Sequence, residues 1–455
     1  MRPPQDRPNI LLINCDDLGY GDLGCYGSPV NKTPHLDRLA SEGVRFTDFY
    51  QAAPVCSPSR AAMMTGCYPR RVGLATNEHG GWVLFPGNAV GLNPDEVTTA
   101  DLLKGRGYGT GIVGKWHLGD QPEFLPTRHG FDTYYGLPYS NDMGIMEWRP
   151  DYPPLPLVSD EEVIQEQPDQ ASLTERYVEE CVRFMRENRD RPFFLYFAHM
   201  YVHLPLYAPK RFLEQSENGA YGAAVECIDW STGVLLHELR RLGLEENTLV
   251  IFTSDNGSRA RDEGGSNAPL RGTKGTTWEG GQRLPCIMRW PGVIPAGSTC
   301  RELTTAMDLL PTLARLGGAE PPADRIIDGH DIWPLAVGEE GAESPYDAFF
   351  YYLSDDLEAV RSGRWKLHLK TGELYDLEAD VGEQNDVASE HPDVIEKLEV
   401  KAEECRRDIG DGVTGDEGEN CRPPGRVEDP VPLTEFDPEN PYMVAMYDWG
   451  DGPGR

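Results

Sequence analysis

Four short apolar runs, at residues 9–14, 108–113, 192–199 and 248–254, each lead into a polar or glycine-rich cluster. Runs this short and this continuously apolar suit strands buried on both faces, as in a parallel sheet covered by helices on either side. Helical stretches separate them. The first, 33–42, has Thr33 as cap, Pro34 in its first turn, and Leu36 and Leu39 on one face. Others are expected at 98–104, 173–188 and 219–242, the last stopped by Gly243, and 44–50 adds a further strand. Alternating helices and strands predict a mostly parallel α/β sheet. The 455 residues exceed one compact core, so a second, smaller unit is expected. Composition turns rich in Gly, Pro and Glu over 331–346. Beyond it, closely spaced runs at 348–353, 357–362, 365–370 and 373–376 predict an antiparallel meander, with a helix at 391–405 and an irregular tail from Asp408.

Open α/β sheets bind ligands beyond the carboxyl ends of their strands. Four polar clusters fall there: Asp16-Asp17, Lys115 with His117, His203, and Asp255-Asn256. Asp16, Asp17, Asp255 and Asn256 offer only oxygen ligands, which favours calcium first and magnesium second; zinc would draw more His or Cys. Each pair alone is turn chemistry, but two pairs at two strand ends point to a cation. Lys115 and His117, two apart on an extended segment, project to the same side. His199 reads as structural, and His330 falls at the domain junction. The glycine-rich stretch 270–281, which carries Lys274, lacks the order of a nucleotide-binding P-loop.

Cys56 in Cys56-Ser57-Pro58-Ser59-Arg60 reads as a thiol at a helix start, with Ser57 as cap and Pro58 in the first turn. The helix dipole and Arg60 would activate it; the plainer reading is a buried structural cysteine. A net charge of −33 argues against nucleic acid and against anionic membrane surfaces as partners. It also means that an anionic substrate would need a local positive site. No apolar run is long enough to cross a membrane, and residues 1–8 show no apolar signal region. The chain is therefore expected to be cytoplasmic as it stands, or exported with a leader not included in it. Ten scattered cysteines do not make a disulfide framework, though Cys405 and Cys421 are a candidate pair. The acceptor patterns at Asn31 and Asn256 read as chance.

Taken in order, the segments 16–22, 56–60, 114–119, 203–205, 254–257 and 272–281 resemble the type I, formylglycine-dependent sulfatase family. The resemblance runs from about residue 8 to 376 and is nearest the arylsulfatase A and N-acetylgalactosamine-6-sulfatase group. It implies an alkaline-phosphatase-like fold: a large mixed, mostly parallel sheet between helices, plus a small C-terminal α+β subdomain with an antiparallel sheet. Residues 1–340 would form the catalytic domain and 341–455 the subdomain. It implies conversion of Cys56 to formylglycine by a formylglycine-generating enzyme. Asp16, Asp17, Asp255, Asn256 and the hydrated Cys56 would hold calcium, with magnesium as the alternative. Arg60 would steady the hydrate, Lys115, Lys274 and Ser140 would bind sulfate oxygens, and His203, with Lys274, would serve the leaving oxygen. His117 would take the proton that lets sulfate depart. The segment 136–142 resembles the part of arylsulfatase A that carries an active-site serine, but Asn141 stands where that protein has a histidine. The implied activity is release of sulfate from an aryl or carbohydrate ester. A phosphomonoester or phosphodiester hydrolase on the same scaffold, and an inactive sulfated-glycan-binding relative, are the competing readings. Trp82, Trp148 and Trp278 are candidate ring-stacking residues or core.

Overall fold

The structure, a computed structural model, describes residues 7–434; the leading residues 1–6 and the end of the expected irregular tail, 435–455, lie outside the described residues. Its strands in chain order begin with β1 (Asn9–Cys15), β2 (Val44–Tyr50), β3 (Val90–Gly91), β4 (Gly109–Gly114) and β5 (Thr133–Gly136). They continue as β6 (Pro156–Ser159), β7 (Glu162–Glu166), β8 (Phe193–Ala198), β9 (Thr248–Ser254), β10 (Arg283–Arg289), β11 (Ser298–Cys300) and β12 (Thr304–Thr305). The last are β13 (Phe349–Leu353), β14 (Asp356–Ser362), β15 (Trp365–His368), β16 (Leu374–Asp376) and β17 (Gly425–Arg426).

The large sheet runs β11-β2-β10-β9-β1-β8-β4-β5-β6-β7, with β12 beside β2. Its centre, β9-β1-β8-β4-β5, is parallel, and β10 is antiparallel to both neighbours. Alternation along each strand divides the core in two. Leu11, Ile13, Leu195 and Phe197 face the helices Pro34–Ser41, Leu173–Glu187 and Gly219–Leu242. Ile10, Leu12, Phe194 and Tyr196 face Cys56–Thr65, Thr99–Lys104 and Leu309–Gly317. Burial of each such side chain contributes about 1.5–3 kcal/mol, so the doubly covered strands fix the sheet order. This is the alkaline-phosphatase-like arrangement expected.

The small sheet β13-β14-β15-β16 is an antiparallel meander, and the helix Pro392–Asp408 packs Leu398, Ala402 and Cys405 onto it. Beyond this helix the chain returns to the large sheet's side, where β17 pairs with β3 and Arg422 grips Glu96. Cys405 and Cys421 do not pair. The Cys405 thiol lies against the Tyr352 hydroxyl (3.1 Å), and the Cys421 thiol reaches Ile409 O (3.0 Å). Asn31 and Asn256 are buried, which removes both as glycosylation acceptors. Among the described residues no helix is long and apolar enough to cross a membrane.

Candidate active site

The four central strand ends stand side by side because β9, β1, β8 and β4 are parallel neighbours. Backbone bonds carry the order past the strands: Asp255 N donates to Cys15 O, Asp16 N to Tyr201 O, and Lys115 N to Ala198 O. Gly114 makes the last of these possible. Its φ is +113°, and a Cβ there would stand 1.8 Å from Ala198 O. Lys115 to His117 do not form the extended segment that the spacing predicted: β4 ends at Gly114, and His117 turns left-handed, at φ +66°. Asp17 does the same at φ +64°. Both residues are thus held in sparsely populated conformations, which concentrate at functional sites.

Cys56 follows β2, which runs parallel to β9, and is the first residue of the helix Cys56–Thr65. The cap position belongs to Val55, without a side-chain bond, and not to Ser57. The Ser57 hydroxyl instead accepts from Leu84 N (3.1 Å), and Leu84 O meets His117 Nε2 at 3.0 Å. Cys56 Sγ stands 3.3 Å from Asp16 Oδ1 and 3.4 Å from Lys274 Nζ. Burial, reinforced by Asp16, drives this thiol's pKa far up despite Lys115 and Lys274, so the expected activation by the helix start does not occur. Desolvation of a thiolate outweighs the dipole here.

Three cations face the acids. Lys115 Nζ bonds Asp16 Oδ2 (2.5 Å) and Ser140 Oγ (3.1 Å). Lys274 Nζ pairs with Asp17 Oδ1 at 2.6 Å. Arg60 directs Nε at Asp255 Oδ2 (2.9 Å) and Nη1 at Lys115 O (2.7 Å). Burial pulls Asp16 up, but Lys115, His203, Arg60 and Lys274 hold it well below the carboxylate range. Asp255, pushed up to about 7 by burial and by Asp16, is the weaker acid of the two.

The ligand atoms of Asp16, Asp17, Cys56 and His203 lie within 4.8 Å of one another. Asp255 stands one step back, sharing its oxygens between Arg60 and Asp17 N. Asn256 Nδ2 donates to Asp17 Oδ1 (2.8 Å) and Gly257 O (3.0 Å), while its Oδ1 is buried without a hydrogen-bond partner. Such an oxygen is costly unless a cation meets it. The donor set therefore fits a hard cation.

His117 is kept neutral by burial, Lys115 and Arg60. With Nε2 donating to Leu84 O, its Nδ1 carries the lone pair and has no partner. His203 Nδ1 is held by Leu204 O (2.6 Å) and Asn141 Oδ1 (3.0 Å), so its Nε2 faces Ser140 Oγ (3.4 Å) and Asp17 Oδ2 (3.9 Å). Burial and Lys274 lower the pKa of His203. His199, by contrast, stacks on Phe197 and meets Ser231 Oγ (3.1 Å), its pKa lowered by burial to about 3. His330 meets Tyr346 edge to face, away from these residues.

Two supports were not legible in the sequence. Gln170 and Asn141 exchange bonds, Asn141 Nδ2 to Gln170 Oε1 (2.9 Å) and Gln170 Nε2 to Asn141 O (3.0 Å). Under the Lys274 loop, buried Lys366 bonds Thr277 O (2.8 Å), Glu279 Oε1 (3.0 Å) and Glu383 Oε1 (2.8 Å). Glu383 also accepts from Glu279 N (2.8 Å). Trp278 lies between Arg271 and His368, whereas Trp82 is half exposed beside Gly275 and Trp148 is exposed.

Residues 8–319 match the family model described as Sulfatase, and residues 273–408 match that described as N-sulphoglucosamine sulphohydrolase, C-terminal. The chain is 45% identical over 380 residues to the N-acetylgalactosamine-6-sulfatase of Canis lupus familiaris, covering 80% of this chain and 72% of that protein. It is 43% identical over 389 residues to arylsulfatase A of Homo sapiens, covering 80% and 75%. The solved structure of PsFucS1 sulfatase from Pseudoalteromonas sp. superposes with a TM-score of 0.81 at 29% identity, covering 91% of this chain and 92% of that one.

Proposed function

The chain belongs to the sulfatase family, and on that premise we propose that it releases inorganic sulfate from an aryl or carbohydrate sulfate ester, using a formylglycine made from Cys56 and a calcium ion. The observation that carries this reading is the placement of Cys56 Sγ between Asp16 Oδ1 and Lys274 Nζ, with Lys115 on the same carboxylate. A buried thiol with a raised pKa is a poor nucleophile, and a sulfated cysteine has no second hydroxyl through which to release sulfate. As a formylglycine hydrate, Cys56 would supply both hydroxyls, and a formylglycine-generating enzyme would be its processing partner.

Asp16, Asp17, Asp255 and Asn256 would hold the calcium, which neutralises charge on the sulfate oxygens when bound; the same oxygens suit magnesium less well. Lys115, Lys274 and Ser140 bind the remaining sulfate oxygens, where negative charge must be met by fixed donors. Arg60, locked to Asp255 and Lys115 O, orients the modified residue. His117 takes a proton on its free Nδ1. His203 gives one from Nε2 to the leaving oxygen, with Lys274 beside it. His117 already has the neutral state its role needs, whereas His203 must first bind a proton on Nε2, which burial and Lys274 disfavour and the bound sulfate would favour.

The test compares 4-nitrophenyl sulfate with 4-nitrophenyl phosphate. Sulfate turnover exceeding phosphate turnover, together with an aldehyde mass for the Cys56 peptide, supports the reading. Phosphate turnover alone would favour a phosphate ester hydrolase, and no turnover of any sulfate ester by modified enzyme would favour a sulfated-glycan-binding protein.

A further inference from the structure

Between the β2–β11 edge of the large sheet and the small meander lies a cleft of about 780 Å³. That volume suits saccharide units rather than a lone ion. Its lining includes Arg45, Arg283, Arg301, Arg361 and Arg364, against three carboxylates, Asp48, Glu302 and Glu378. In a chain of net charge −33 this is a local reversal of sign.

The arginines are not equivalent. Asp48 takes Arg283 (2.8 Å) and Arg361 (3.0 Å), and both guanidinium groups are buried and committed. Arg364 is shared between Asp376 and Glu378. Arg45 donates to Cys25 O and lies over the Tyr26 ring, and neither it nor Arg301 has a carboxylate partner among the described residues. Strand pairing explains their placement. β11 runs parallel to β2 with Thr299 opposite Arg45 and Cys300 opposite Phe46. Phe46 and Cys300 point into the core, so Arg45, Thr47, Thr299 and Arg301 face the cleft. By strand spacing, the two uncompensated arginines spring from one patch about 8 Å across its diagonal. Two threonines stand at the other corners.

We propose that this cleft binds a sulfate- or carboxylate-bearing saccharide unit, at a site separate from the ester being cut. Guanidinium forks suit planar carboxylate and tetrahedral sulfate oxygens alike. The small domain closes one wall through Gly363, Arg364 and Leu377. The site answers the tension set by the chain's own charge: an anionic glycan repelled at long range is held at close range. Binding here does not depend on turnover at Cys56.

The test titrates a heparin hexasaccharide into the full chain carrying Cys56→Ala, and into the same chain with Arg45→Gln and Arg301→Gln added. At least tenfold weaker binding in the double arginine variant is expected, with a shallower dependence of affinity on salt. With Cys56 intact, the same arginine variant should hydrolyse 4-nitrophenyl sulfate at the wild-type rate. Sodium sulfate is titrated in parallel: heat lost on arginine replacement assigns a single oxyanion to the patch and supports the site. Arg301→Gln alone, at an exposed position, keeps the test open if Arg45→Gln disturbs folding. Equal hexasaccharide affinity in arginine-replaced and unreplaced chains overturns the proposal. Failure of sulfate release by the wild type would instead strike the reading of Cys56 and leave this binding result standing.

Discussion

His203 Nδ1 lies 3.0 Å from Asn141 Oδ1, and Gln170 braces Asn141 from behind. Leu204 O accepts from the same Nδ1, so that nitrogen carries hydrogen and proton exchange is confined to Nε2. The amide of Asn141 therefore does the orienting that its family-divergent identity left open. Asn141→Ala should lower kcat/KM by about ten- to a hundredfold on phenyl or sugar sulfates, the range for removing a side chain that orients a reactive one. The loss should be smaller on 4-nitrophenyl sulfate, whose leaving group scarcely needs a proton. An equal loss across leaving groups would contradict this role for His203.

Lys366 is fully buried between Glu279 and Glu383 and ties the small sheet to the loop of Lys274. Lys366→Met removes the cation that Glu279 and Glu383 share, leaving Glu279 to Arg283 and Glu383 to His368. The expected cost is about 3–5 kcal/mol of folding stability, read from urea unfolding, together with weaker substrate affinity as Lys274 shifts. Lys366→Arg should recover part of both. A variant as stable as the wild type would show that the network is dispensable.

Chelation should remove activity, and added calcium should restore it more fully than magnesium. Calcium should also raise the melting temperature of the wild type with concentration, as any ligand of the folded state does. Asn256→Ala should blunt that shift, because Asn256 Oδ1 is the buried acceptor without a donor. A calcium-dependent shift of full size in Asn256→Ala would exclude this oxygen as a ligand.

Asp308 should make stability fall as pH rises towards neutrality, against the opposite slope that the buried histidines His117, His129 and His199 impose through their lowered pKa values. Asp308, buried beneath Tyr346, is pushed up to about 7 from 3.8 by burial, against the bonds it accepts from Tyr346, His330 N and Thr305 N. Between those values the folded chain holds a proton that the unfolded chain has lost. Its contribution is therefore full below about pH 4 and disappears as pH rises through about 7. Asp22 and Asp229, also raised to about 7, act in the same direction. In urea unfolding from pH 5 to 8, the slope of stability against pH in Asp308→Asn should differ from that of the wild type by about one proton, in the direction of a smaller loss as pH rises. An unchanged slope would mean that Asp308 is ionised throughout.

The parts legible in the sequence were those set by local pattern. Residues 9–14, 192–199 and 248–254 are apolar on both faces, and that alone places β1, β8 and β9 at the sheet centre with Asp16, His203 and Asp255 beyond their ends. The meander β13–β16 followed from strand spacing in the same way. What stayed hidden depends on contacts between distant segments. Gln170 meets Asn141 only because the chain folds back across 29 residues, and Lys366 meets Glu279 across 87. Cys56 shows the same limit: a helix start suggests activation, whereas burial beside Asp16, in line with the plainer reading of a buried cysteine, sets the opposite sign. Arg45 and Arg301 read singly as surface charges, and only the β2–β11 register brings them together.

The most direct measurement is sulfate release from 4-nitrophenyl sulfate by the wild type and by Cys56→Ala, prepared alongside a formylglycine-generating enzyme. The expected result is steady release by the wild type and none above the buffer rate by Cys56→Ala. Release by Cys56→Ala at a rate near that of the wild type would contradict the account.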